Sequence, residues 1–107
     1  MKRTIKYIYI LTAMLHALPL ISQWSADTRL TNNTAFSTVP LNNARCISSS
    51  GQLVVTVWQD SRDGNSEIYA KRSTNAGVSW SNDARLTNNT FSSEYPSVEV
   101  SGVTIHT

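Results

Sequence analysis

A single cysteine, Cys46, stands in 107 residues, so no internal disulfide can form. It reads as a small buried apolar residue and neither supports nor excludes export. The two histidines, His16 and His106, lie far apart and lack the spacing of a metal site. An excess of one charge is also missing. The formal balance is +2, but Lys2, Arg3 and Lys6 sit together at the start. Removing these three from the nine Lys/Arg leaves six against seven Asp/Glu, a balance of −1. No basic patch remains, which argues against a nucleic-acid partner. Glycine and proline are few, four and three, and fall at turns. Long hydrophobic runs are absent beyond residue 21.

What is present begins with that one apolar run. Residues 1–22 have the parts of a secretory signal: a charged start, an apolar stretch over 8–21, and Ser22 at a cut site. About 14 apolar residues are too short to span a bilayer of roughly 30 Å comfortably. A signal-peptide helix is therefore expected over 1–22, with Leu20 fitting the cleavage pattern imperfectly. The alternative is an uncleaved anchor. The mature chain is expected outside the cytoplasm, secreted or at the cell surface, touching membrane only through this segment.

After the leader the sequence repeats itself. Trp-Ser-x-Asp-x-Arg-Leu-Thr-Asn-Asn-Thr occurs at residues 24–34 and again at 80–90. Only Ala26/Asn82 and Thr28/Ala84 differ, and the register holds without a gap to Pro40/Pro96. A repeat of this kind is one supersecondary unit that cannot bury its apolar face alone. Between the copies the pattern predicts four short strands, at 45–49, 52–59, 66–73 and 78–86. Leu53-Val54-Val55-Thr56-Val57-Trp58 supplies the β-branched and aromatic core of the second. Asp63-Gly64 marks a hairpin, and Asn75-Ala76-Gly77 another tight turn. In the third, Ile68, Ala70 and Arg72 face one side and Tyr69, Lys71 and Ser73 the other.

Four antiparallel strands per repeat fit a propeller blade, although the period is longer than the WD40 and kelch ones. A sandwich would not explain near-identical strings one repeat apart. The fold class is thus all-β: a β-propeller fragment with one complete blade over 44–87 and parts of two others. Residues 23–34 are expected to be an outer strand that closes the ring and so removes unpaired sheet edges. Residues 97–107 begin the next blade. Setting Gly102 on Gly51 places Thr107 opposite Thr56, so the sequence reads as the N-terminal fragment of a longer propeller, which needs four to eight blades.

Ser73-Thr74-Asn75-Ala76-Gly77-Val78-Ser79-Trp80 resembles the Asp box, or BNR repeat, of sialidases and related propellers. The matching positions are Ser73, Asn75, Gly77, Ser79 and Trp80, with Asn75 where Asp is usual. The resemblance implies a structural hairpin on the blade periphery, away from any active site. Its physics is visible in the residues: an Asx side chain accepts turn amides, glycine takes positive φ, and Trp80 plugs the turn. The stretch from Trp58 to Tyr69 is similar to the second-to-third-strand hairpin of secreted sialidase-like propellers. The parent protein is accordingly read as glycan-directed, a sialidase-like glycoside hydrolase or a carbohydrate binder, with a glycan or protein ligand on the propeller face. The alternative is a non-catalytic propeller serving as an interaction or structural repeat of a surface protein.

No catalytic constellation, cofactor or metal is assigned within these residues. Asp60, Asp63 and Glu67 can be written as a calcium site, but an Asp60–Arg62 pair and an Asp63-Gly64 turn explain them more simply. Tyr69 can be written as a nucleophile assisted by Asp60 or Glu67, as the resemblance suggests. However, it sits in a strand with no partner apparent from the sequence. The family's Phe/Tyr-Arg-Ile-Pro string is absent. Arg29 and Arg85 read as edge-strand charges, which leaves Arg45 as the remaining substrate-arginine candidate. Asn32-Asn33-Thr34 and Asn88-Asn89-Thr90 are glycosylation sequons, and shared turn chemistry accounts for both.

Overall fold

The computed structural model describes residues 26–41 and 44–107. The leader expected over 1–22, and Trp24 of the first copy, lie outside the described residues. Among those described the chain is all-β, with antiparallel pairing and no helix.

The sheet is built around β3 (Leu53–Asp60), the β-branched run noted above. It pairs along its length with β4 (Glu67–Ser73), from Val54↔Ser73 to Asp60↔Glu67. β2 (Ile47–Ser50) lies along the first half of β3, from Ile47↔Thr56 to Ser50↔Leu53. β1 (Ser37–Thr38) continues on the same edge at Ser37↔Asp60 and Thr38↔Gln59. β5 (Ala84–Arg85) covers the far edge of β4 at Tyr69↔Arg85 and Ala70↔Ala84. A separate hairpin follows, β6 (Glu99–Ser101) with β7 (Thr104–His106).

Strand alternation separates two chemistries across this sheet. Val55, Val57, Ile68 and Ala70 lie on one face, and all are buried. Val98 and Val100 from the β6 segment complete that core, with Leu53 packed against it. Val98 N–H donates to Arg45 O at 2.7 Å, and Val100 N–H to Ser48 Oγ at 3.0 Å, so β6 runs beside β2. A cleft of about 500 Å³ stays open on this face between Ala84 and Leu86 of the β5 edge and Ile105 of β7. The opposite face carries Trp58, Asp60, Glu67, Tyr69 and Lys71, whose cross-strand register pairs Trp58 with Tyr69 and Asp60 with Glu67.

The first three expected strands appear within one or two residues of their expected limits. The fourth does not run over 78–86. Its ladder is reduced to Ala84–Arg85, because residues 75–80 are drawn into a side-chain-stapled turn that takes Trp80 with it. Single bonds extend the contact on both sides, Ser81 N–H to Arg72 O at 2.9 Å and Leu86 N–H to Ile68 O at 2.7 Å. The expected closing strand is likewise not a strand in residues 26–31. Its counterpart β5 is a strand through its pairing with β4, and the first copy has no such neighbour among the described residues. Gly51 and Gly102 occupy equivalent two-residue turns with φ of +57° and +59°, a conformation that glycine adopts without steric cost.

Candidate functional site

Residues 73–80 form a closed network of side-chain and backbone bonds. Ser73, buried at the end of β4, donates its hydroxyl to Asn75 Oδ1 at 2.8 Å. The same oxygen of Ser73 accepts the N–H of Gly77 at 2.8 Å and that of Asn75 at 3.3 Å. Asn75 Oδ1 also accepts Ser79 N–H at 2.9 Å, and its Nδ2 donates to Ser79 Oγ at 2.8 Å. Trp80 Nε1 donates to Gly77 O at 3.1 Å. Ala76 N–H reaches Gln52 O at 2.9 Å, tying this turn to the β2–β3 turn. Asn75 presents one oxygen as acceptor and its amide as donor to the adaptable Ser79 hydroxyl.

Gly77 sits at φ +87°, and a Cβ added there would meet Trp80 Cζ2 at 3.7 Å, an ordinary contact. The cost of Gly77→Ala is therefore purely conformational, about 1–2 kcal/mol. Urea unfolding should show that loss, whereas Asn75→Asp should unfold within about 0.5 kcal/mol of the parent, the range of a tolerated surface change.

The polar face of the sheet forms the second cluster, at the tip of the β3–β4 hairpin. Asp60 and Glu67 close the hairpin opposite one another and are both fully buried. A buried carboxylate is costly unless it is paired and hydrogen-bonded. Asp60 Oδ2 accepts Trp58 Nε1 at 3.0 Å, Ser37 Oγ at 2.9 Å, Asn33 Nδ2 at 3.0 Å and Arg62 Nη2 at 2.7 Å. Its Oδ1 accepts Arg62 Nε at 2.9 Å and Arg62 N–H at 3.0 Å. The Arg62 bonds above all hold this carboxyl far below the usual range, against the opposing effect of burial.

Glu67 is satisfied from the other side. Thr87 Oγ1 donates to its Oε2 in a short bond, and Asn89 N–H donates to Oε1 at 2.9 Å. Asn65 Nδ2 at 3.2 Å and Arg85 Nη2 at 3.3 Å complete the set. The Thr87 bond is the main cause that brings this carboxyl down to about 2, and burial opposes it.

Tyr69 lies beside this pair on the same face, opposite Trp58. Its ring stacks on Trp58 at 6.2 Å, and the Arg62 guanidinium lies 4.2 Å from the ring centroid. Its hydroxyl donates to Asp63 Oδ2 in a short bond. Asp63 Oδ1 in turn lies 3.5 Å from Arg85 Nη1. Burial, followed by the Asp63 bond, raises the Tyr69 pKa. The phenol thus has the partner that the sequence did not reveal, but that partner keeps it protonated, the opposite of what a nucleophile needs. Arg62 also binds Asp83 at 2.7 Å, and Lys71 binds Asp83 at 3.2 Å, extending the network across the sheet.

The remaining candidates fall elsewhere. Among the described residues no three His, Cys, Asp or Glu side chains converge on a metal-sized site. In place of a calcium cage, Asp60, Asp63 and Glu67 each have their own protein donors. Arg85 is not a free edge charge, since Asp63 and Glu67 bind it. Arg45 is exposed and pairs with exposed Glu99 at 3.8 Å beside a cleft that also includes His106. Cys46 is only half-buried, with its Sγ 3.8 Å from Pro96 O. In both sequons the middle asparagine does the turn work: Asn33 Nδ2 reaches Ser37 Oγ at 3.4 Å, and Asn89 Nδ2 reaches Ser93 Oγ at 3.0 Å.

Comparison with protein-family models, curated proteins and solved structures finds no match. The chain's own geometry therefore carries the functional argument. It shows a hairpin tip whose acidic groups are consumed by framework bonds, flanked on each side by a copy of the same Thr-Asn-Asn-Thr loop.

Proposed function

We propose that this chain is the first part of an exported Asp-box β-propeller of the sialidase-like kind, directed at glycans. In this reading residues 26–107 supply framework rather than chemistry. One observation carries it: the two copies of the repeated string share internal bonds. Arg29 Nε donates to Thr31 O at 2.6 Å, and Arg85 Nε donates to Thr87 O at 2.7 Å. The second copy docks on an antiparallel four-stranded sheet, β2 to β5, whose β4–β5 connection is the Asp-box turn. That combination is what a propeller blade requires. The open cleft over Val55 and Ala70 is the place where a neighbouring sheet would complete the core.

A second reading, a protein-binding repeat of a surface protein, draws on the exposed side chains of Phe36, Phe91 and Tyr95 around the hairpin tip. Two assays separate these readings. The first is hydrolysis of a fluorogenic sialoside, and the second is binding to a glycan array, both run on the longest protein the gene encodes and on this chain. Glycan binding by the former, with no sialic acid release by the latter, is expected. Hydrolysis by this chain that disappears in Tyr69→Phe at unchanged stability would overturn the framework assignment. Absence of any glycan binding would favour the protein-binding repeat.

A further inference from the structure

The two copies of the repeated string make different halves of one contact. The second copy reaches back to the hairpin before it. Leu86 N–H bonds Ile68 O, Thr87 Oγ1 accepts Ile68 N–H at 2.9 Å, and Thr87 Oγ1 and Asn89 N–H both donate to Glu67. Arg85 adds its guanidinium to Glu67 and Asp63, and Asn65 Nδ2 caps Asn89 O at 3.0 Å. The first copy reaches forward to the same hairpin. Asn33 Nδ2 and Ser37 Oγ donate to Asp60, and Phe36 O accepts Ser61 N–H at 3.1 Å.

Each copy therefore has groups that, among the described residues, lack the partner that their counterparts hold. Among the described residues, Arg29 of the first copy makes only its internal bond to Thr31 O, and Thr31 Oγ1 and Asn33 N–H have no partner. These are the equivalents of Arg85, Thr87 Oγ1 and Asn89 N–H, the groups that grip Glu67. In the second copy, Asn89 Nδ2 and Ser93 Oγ hold each other with no carboxylate between them, although their equivalents grip Asp60.

We propose that the first copy carries an open docking strand for an acidic strand edge. Its partner is a further hairpin of the Asp-Gly-Asn-x-Glu-Ile kind. The carboxylate at the Glu67 position sits between Thr31 Oγ1 and Asn33 N–H. Arg29 spans that carboxylate and the one four residues before it. The proposal rests on the repeat reading above and names the groups that recognise the partner. The Thr-Asn-Asn-Thr loop is then a two-sided connector, with an acidic residue of the preceding sheet on one side and one of the following sheet on the other. Charge complementarity selects the partner: a glutamine at the Glu67 position would lose the charge-assisted bonds, and an aspartate would fall a methylene short.

The test uses the chain's own hairpin as receptor. In an Arg85→Ala/Thr87→Val variant the second copy loosens its hold and frees Glu67. A labelled peptide of residues 26–38 should bind this variant at least tenfold more tightly than the parent chain. Binding should be lost when the peptide carries Arg29→Ala/Thr31→Val, or when the receptor also carries Glu67→Gln. Equal binding by both peptides, or binding that survives Glu67→Gln, overturns the proposal.

A second measurement needs no loosened receptor. Asn82→Ala/Ala84→Thr converts residues 80–90 into the string of the first copy. The unfolding midpoint should stay the same, and a marked fall would overturn the equivalence of the two copies. Neither readout involves glycans, so failure of the glycan-directed reading and failure of the docking strand are separately visible.

Discussion

Asp60→Ala should cost about 3–5 kcal/mol, the usual consequence of removing one partner from a buried ion pair. That is a large share of the 5–15 kcal/mol that holds a typical domain folded. Six donors converge on the carboxylate, from Trp58, Ser37, Asn33 and three groups of Arg62. Alanine leaves the Trp58 indole N–H buried without its acceptor, and it leaves Arg62 with Asp83 and the face of Tyr69. It also weakens the hold of the first copy on the β3 end, because Asn33 and Ser37 lose their side-chain bonds to this carboxylate while β1 keeps its backbone ladder. Asp60→Asn should fall between alanine and the parent, since its carbonyl serves some donors while its amide confronts the others. Urea unfolding followed by tryptophan fluorescence measures both. Near-parental stability of Asp60→Ala would show that the cluster does not hold the hairpin.

Acid should unfold the chain through the same two carboxylates. Glu67 titrates down to about 2 in the folded state, and Asp60 lies lower still. Unfolded carboxylates titrate near 4. A folded pKa below the unfolded one adds stability that is fully present above the unfolded value and disappears as pH falls toward the folded one. The urea midpoint is therefore expected to be flat from pH 7 to about 5 and to drop steeply between about 4.5 and 2. Glu67→Gln should be less stable than the parent at pH 7, because Arg85 loses a buried counter-charge. It should also lose part of the acid slope. A midpoint that does not change between pH 5 and 2.5 would contradict the assignment.

The strand order of the sheet was legible because β-branched runs and turn residues alternate without ambiguity from Leu53 to Gly77. So was the tight turn at residues 75–77, where Ser73, Asn75 and Gly77 bond locally. The fourth strand was misjudged for a physical reason. A Val-Ser-Trp stretch looks extended, yet the Asn75 side chain claims Ser79 and bends the chain before pairing can begin. The polar cluster was only half legible. Alternation places Asp60, Glu67 and Tyr69 on one face, and the Asp60–Arg62 pair is local. Thr87, Asn89, Asn33 and Ser37 are separated from their carboxylates by about twenty residues or more. Only the tertiary docking of the repeated loops brings them in.

The central claim is that the acidic hairpin tip is framework and not an acid–base centre. Site-resolved NMR titration of the carboxyl carbons and the tyrosine ring tests this most directly. The account predicts that Asp60 and Glu67 both ionise well below ordinary carboxylates and that Tyr69 stays protonated beyond the usual tyrosine range. A carboxyl of the pair titrating above its ordinary value, or a Tyr69 phenol that ionises early, would contradict it.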